Sequence, residues 1–192
     1  MKYSCQIVTF NNIKINCMNV AVYCSSSNHI ATNYLDTARA LGNWIAENEH
    51  VLVFGGATGG SMTAVSEGAN AANAEIIGVV PEAVIRMGRE SKHCTKLYSV
   101  KSMDERKALM KQLADVFVVL PGSYGTLDEL FDVVASGVVG EHKKPVFLLN
   151  ENGFYDFLLQ QAQKMKDELF IPVENYKYIV VNSLSDLFGK LK

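Results

Sequence analysis

The feature that most constrains this chain is a series of short, unbroken apolar runs separated by stretches of helical period. "NVAVYC" (19–24), "VLVF" (51–54), "EIIGVVP" (75–81), "DVFVVLP" (115–121), "PVFLLN" (145–150) and "YIVVN" (178–182) hold few polar residues. "KLYSV" (96–100) is read as a short fourth strand. A strand with one wet face alternates apolar and polar residues, whereas a strand covered on both faces does not. Between the runs, Tyr34, Ala38, Leu41 and Ile45 form one helical stripe, and Met62, Val65, Ala69 and Ala72 form another. Further helices are expected over Met103–Leu113, from Leu127 to about Val138, from Gly153 to about Leu169, and in the closing "LSDLFGKL". Strands that alternate with helices predict an α/β fold, a doubly wound, mostly parallel sheet with helices on both faces. The 192 residues suit one domain, 1–192, with residues 1–18 as an N-terminal edge strand or hairpin extension.

Composition excludes several classes. The net charge of −2 offers no basic excess for nucleic acid or a membrane surface, and the densest basic run is only His142-Lys143-Lys144. The start lacks the apolar core of a signal peptide, and no apolar run is long enough to span a bilayer. The expected location is therefore cytoplasmic. Cys5, Cys17, Cys24 and Cys94 show no CxxC pair, and free thiols are expected. His29, His50, His93 and His142 have no metal-ligand spacing, so no metal is expected.

In a parallel sheet of this kind, ligands bind beyond the carboxyl ends of the strands. Three of the turns there are built from small residues: "CSSSN" (24–28), "GGATGGSM" (55–62) and "PGSYGT" (121–126). A tight turn needs glycine in any case. Three such turns at one sheet edge point further, to backbone N–H groups and helix N-termini that receive a phosphate. "GGATGG" is followed by no Lys-Ser or Lys-Thr, so it is no Walker loop, and strand two does not end in the acid that would take a ribose of NAD. A mononucleotide or sugar phosphate fits better.

Two charged residues need an explanation. Arg106 lies on or beside the apolar stripe of Met103, Met110 and Leu113, where it must be paired, functional or snorkelling. Thr126-Leu127-Asp128-Glu129 has the form of a T-x-x-E capping box, which would account for Thr126 and Glu129 without any chemistry. An acid beside an anion site would instead serve a reaction on a bound sugar. Both readings stay open on the residues alone. Glu82 is a further acid at a strand end, read as an exposed helix start.

"PGSYGTLDE" resembles the PGGxGTxxE motif of the Lonely-Guy family, the cytokinin riboside 5′-monophosphate phosphoribohydrolases. "SMDERKALM" is similar to that family's M-x-E-R-K-A segment, "GGATGGSM" to its GGGxxGLM loop and "CSSS" to its first-strand C-G-S-S. The resemblance runs from about Asn19 to the end. It implies a Rossmann-like fold, a homodimer, and hydrolysis of the N-glycosidic bond of a purine nucleoside 5′-monophosphate to free base and ribose 5-phosphate. It implies Arg106 and Glu129 as the catalytic pair and Gly122, Gly125 and Thr126 around the phosphate. Ser25, Gly55, Gly56, Gly59, Met103, Lys107, Ser123 and Tyr124 complete the expected substrate contacts. Ser123 stands where the family has a second glycine, and Ser25 where it has the glycine after the cysteine. No cofactor is implied.

Members of this family are often labelled lysine decarboxylases. That chemistry calls for pyridoxal phosphate on a lysine. Lys92 of "SKH" is the only candidate, and it reads as solvated surface. Met62, Met103 and Met110 are adaptable apolar residues suited to a dimer interface. A nucleotide or cofactor carrier without catalysis is the alternative on the same fold.

Overall fold

Each apolar run becomes a strand, and each periodic stretch a helix. The computed structural model describes residues 17–171 and 178–191, so nearly all of the expected extension over 1–18 lies outside the described residues. The strands are β1 (Asn19–Tyr23), β2 (Val51–Phe54), β3 (Ile76–Pro81), β4 (Lys96–Val100), β5 (Val116–Val119), β6 (Val146–Leu149) and β7 (Ile179–Val181). The helices are α1 (Thr32–Glu47), α2 (Gly60–Ala71), α3 (Glu82–Arg86), α4 (Met103–Leu113), α5 (Tyr124–Val138), α6 (Asp156–Asp167) and α7 (Leu184–Lys190), with a 3-10 turn over Glu151–Gly153. The strand order is β4-β3-β2-β1-β5-β6-β7. The registers Val20↔Leu52, Leu52↔Ile76, Gly78↔Leu97, Val118↔Phe147 and Leu148↔Val180 are all parallel. Every residue of β2, β3, β5 and β6 is buried, as strands covered on both faces require. At the edge, β4 alternates in burial.

The described chain divides into two compact units. In the first, β1 to β4 carry α1 to α4, and Leu41, Ile45, Leu52, Phe54, Ile76 and Met110 form the interior. Each such side chain contributes about 1.5–3 kcal/mol on burial. Met110 is fully buried, which removes it from the expected interface: it fills the core beneath α4. In the second unit, the end of β1 (Tyr23–Ser25) joins β5 to β7 and α5 to α7. The Leu120 N–H donates to the Tyr23 carbonyl at 2.9 Å, and the Tyr23 and Phe117 rings stack at 5.9 Å.

Boundaries agree with expectation at α4 and differ at α6. The helix α4 spans its expected residues because the Ser102 hydroxyl accepts from the Glu105 N–H and sets the start. Asn152 (φ 53°) and Gly153 (φ +71°) are left-handed and delay α6 to Asp156, while Leu169 (φ 63°) closes its end early. Glu82 opens α3, is exposed, and pairs with Arg86 at 3.5 Å. Cys24 and Cys94 are free thiols, but Cys17 is disulfide-bonded, against expectation. Cysteine spacing along the chain does not reveal which sulfurs folding brings within bonding distance.

Candidate active site

In the second unit, β5 runs into Leu120 and the "PGSYGT" turn. The N-cap of α5 is Ser123, whose side chain makes no capping hydrogen bond, and the helix begins at Tyr124. This start bears on the capping reading of Thr126 and Glu129. A T-x-x-E box needs Thr at the N-cap and Glu at the third helical position. Counting from Tyr124, Thr126 is third and Glu129 sixth, so neither fills its capping role. By the same count, the first turn of α5 holds no acid. Thr126 and Glu129 are each 3% exposed. A carboxylate is not buried for solvation's sake, and Glu129 is held by a neighbour.

The loop itself is tightly folded. A Cβ on Gly122 would come within 2.1 Å of Thr126 Oγ1, so the glycine makes room for this hydroxyl. A Cβ on Gly125 would meet nothing within 4 Å, and Tyr124 is 90% exposed. The α5 N-terminus is thus open at Tyr124 and Gly125. Ser25 is buried at the end of β1, in the same unit. Sequence reasoning missed Tyr155, which holds this loop from below. Its hydroxyl donates to the Leu120 carbonyl at 2.8 Å, and the Gly122 N–H donates to it. Burial pushes the Tyr155 phenol well above its ordinary range, the Gly122 N–H partly offsets this, and the nearby Cys24 adds to it. The phenol therefore stays protonated and remains a donor.

In the first unit, α4 delivers Arg106 to the interior, 5% exposed, with Nε donating to the Val79 carbonyl at 3.1 Å. The snorkelling alternative is excluded, because the guanidinium is buried. Gly55 makes this possible: a Cβ there would lie 2.0 Å from Arg106 Nη2 and 3.0 Å from the end of Met62. Gly56 (φ +65°) packs on Gly78 and Val80, and a Cβ on Gly59 would come within 2.3 Å of the Ser26 carbonyl. At the start of α2, two backbone N–H groups have side-chain partners. The Gly60 N–H donates to Asn28 Oδ1 at 2.8 Å, and the Gly59 N–H to Thr63 Oγ1 at 2.7 Å. Lys107 is half-buried and Met103 is 47% exposed. Lys92 is exposed in a turn.

A family model described as "Possible lysine decarboxylase" matches residues 62–190. A probable cytokinin riboside 5′-monophosphate phosphoribohydrolase of Oryza sativa subsp. japonica is 40% identical, covering 85% of this chain and 72% of its own. A cytokinin riboside 5′-monophosphate phosphoribohydrolase of Arabidopsis thaliana is 35% identical over 84% of this chain and 76% of its own. This chain belongs to the Lonely-Guy family. Solved structures share the fold. The molybdenum cofactor binding protein of Rippkaea orientalis superposes with a TM-score of 0.70 at 21% identity, covering 92% of this chain and 96% of its own. The molybdenum cofactor carrier protein of Chlamydomonas reinhardtii gives 0.66 at 21%, with the same coverage. The Rossmann-like fold of the Lonely-Guy family is therefore the fold of this chain. Its two motif-borne charges, Arg106 and Glu129, are both buried here, each in its own unit.

Proposed function

We propose that this chain is a nucleotide N-glycosidase that hydrolyses a purine nucleoside 5′-monophosphate, AMP or an N6-modified cytokinin nucleotide, to free base and ribose 5-phosphate. The observation that carries this reading is a buried carboxylate, Glu129, on a helix whose N-terminus is uncapped and whose start leaves that carboxylate no capping role. The relatives carry the phosphoribohydrolase name. The first N–H groups of α5 receive the 5′-phosphate, with Gly122, Ser123, Tyr124, Gly125 and Thr126 forming the turn. Ser25, Gly55, Gly56, Gly59, Met103 and Lys107 complete the proposed substrate contacts. Cleavage passes through an oxocarbenium-like ribose. Glu129 places negative charge beside that centre and positions or deprotonates the attacking water. Glycoside hydrolases use carboxylates for the same reason. Arg106 holds its proton too tightly to act as a general acid, so it orients Glu129 or stabilises the departing purine.

Decarboxylation of lysine is a poor fit, because exposed Lys92 offers no enclosed site for a Schiff base. We read residues 1–192 as one domain that acts in the cytoplasm as a homodimer. Among the described residues, no helix is long and apolar enough to cross a membrane. Tyr124, Phe131 and Val138 recur every seven residues along α5 and are all exposed, an apolar stripe that suits association. The likeness to molybdenum cofactor carriers keeps a non-catalytic carrier as the second reading.

Free-base release tests the proposal. The purified protein is incubated with AMP, isopentenyladenosine monophosphate and adenosine. Free base is expected from both monophosphates, and far more slowly from adenosine. Binding of AMP with no base release would favour the carrier, and equal turnover of adenosine would remove the phosphate from recognition.

A further inference from the structure

We propose that Tyr155 is a positioning residue for the substrate phosphate: its hydroxyl, held between the Leu120 carbonyl and the Gly122 N–H, fixes the loop that presents the first N–H groups of α5 to the anion. The inference rests on the reading of that helix end as the phosphate site.

The local chemistry is specific to the hydroxyl. Phe154, Tyr155 and Phe157 enter α6 together, and Tyr155 is the one that is buried, 3% exposed against 43% and 85% for the two phenylalanines. Ordinary amphipathicity would bury a phenylalanine and leave the tyrosine at the surface. A buried phenol needs partners, and this one has a donor and an acceptor two residues apart in the loop. The bond to Leu120 anchors the end of β5. The bond from Gly122 commits that N–H, leaving those of Tyr124, Gly125 and Thr126 at the helix end for a ligand.

Tyr155 is itself clamped. Its N–H donates to Asn150 Oδ1 at 2.7 Å, and Asn150 Nδ2 donates to Asp156 Oδ1 at 2.8 Å. The Asn150 N–H donates to the Val181 carbonyl at 2.8 Å. A continuous set of hydrogen bonds thus ties β7, the end of β6 and the start of α6 to the loop after β5. An anion site gains from such rigidity, because donors fixed before binding lose no freedom on binding.

The test is Tyr155→Phe, which keeps the ring and removes only the hydroxyl. The expected result is a KM for AMP raised about tenfold, with kcat within about threefold and kcat/KM for adenosine unchanged. A merely structural role would lower both substrates together, so the ratio of monophosphate to nucleoside is the deciding quantity; an unchanged ratio overturns the proposal. Calorimetric affinities for AMP and adenosine read the same ratio where no base is released, which separates failure of this inference from failure of the hydrolase reading. Should the variant not fold, amide exchange in the wild-type protein decides. Gly122 is expected to be protected with or without AMP, and Tyr124, Gly125 and Thr126 only with AMP. A Gly122 amide that exchanges as fast as its neighbours without ligand refutes the clamp.

Discussion

Two glycine-rich turns open helices in this molecule, and they differ in who occupies the helix end. At α2, Asn28 and Thr63 take the Gly60 and Gly59 N–H groups, so the chain caps itself. At α5, Ser123 offers no side-chain cap, Gly125 faces open space, and the Gly122 N–H, just ahead of the helix, is taken by Tyr155. The acids differ as well. Glu67 of α2 pairs with Arg39 at the surface, whereas Glu129 of α5 is buried one turn inside its helix. Glycine content alone therefore does not mark an anion site. On the proposed reading, the anion is received at the helix end that lacks a side-chain cap.

The largest expected effect lies at the open end. Glu129→Gln should lower hydrolysis about a hundredfold or more, the usual scale for removing a charge aimed at a transition state. AMP binding by calorimetry should persist. A silent substitution would make α5 an ordinary helix like α2. Combined with Arg106→Ala, the loss should be smaller than the product of the separate losses if the two residues act as a unit.

A pair of alanine substitutions sharpens the contrast. Gly59 sits at φ 120° against the Ser26 carbonyl, so Gly59→Ala should destabilise by about 1–3 kcal/mol in denaturant melts. Gly125 is helical and unobstructed, so Gly125→Ala should stabilise by about 0.4–1 kcal/mol while weakening AMP binding, because the methyl would enter the space proposed for the phosphate. Equal stability changes, or an unchanged AMP affinity in Gly125→Ala, would erase the distinction. The smallest effect belongs to the self-capped end. Asn28→Ala should cost about 1 kcal/mol of stability, as loss of a helix cap does, with kcat preserved. A large loss of kcat there would make α2 part of the chemistry.

The order of strands and helices was legible because covered strands leave an unmistakable apolar signature, and α4 was legible to the residue because Ser102 caps it. The start of α5 was not. Gly122 and Gly125 read as turn residues, and Thr126 with Glu129 imitated a capping box, so the expected helix began at Leu127. The real cap, Ser123, makes no side-chain bond and leaves no pattern. Arg106 stood out in sequence as a charge on an apolar stripe, but its depth depends on Gly55, a residue fifty-one positions earlier, whose glycine reads equally well as a ligand contact. Tyr155 was invisible for a related reason. A tyrosine among phenylalanines looks like one more apolar residue, and only the fold shows that its hydroxyl is the buried group.

The bond from Tyr155 to Leu120 spans thirty-five residues of sequence. It has a consequence for the order in which the protein matures. A chain emerging from the ribosome carries the complete "PGSYGTLDEL" stretch well before Tyr155 exists to anchor it. Until β6 has paired and the start of α6 has docked, the helix end is present in composition but not in shape. Competence for the proposed anion is thus expected late, through contacts distant along the chain, which form more slowly than local ones. A fragment ending after β6 would retain the motif without its anchor.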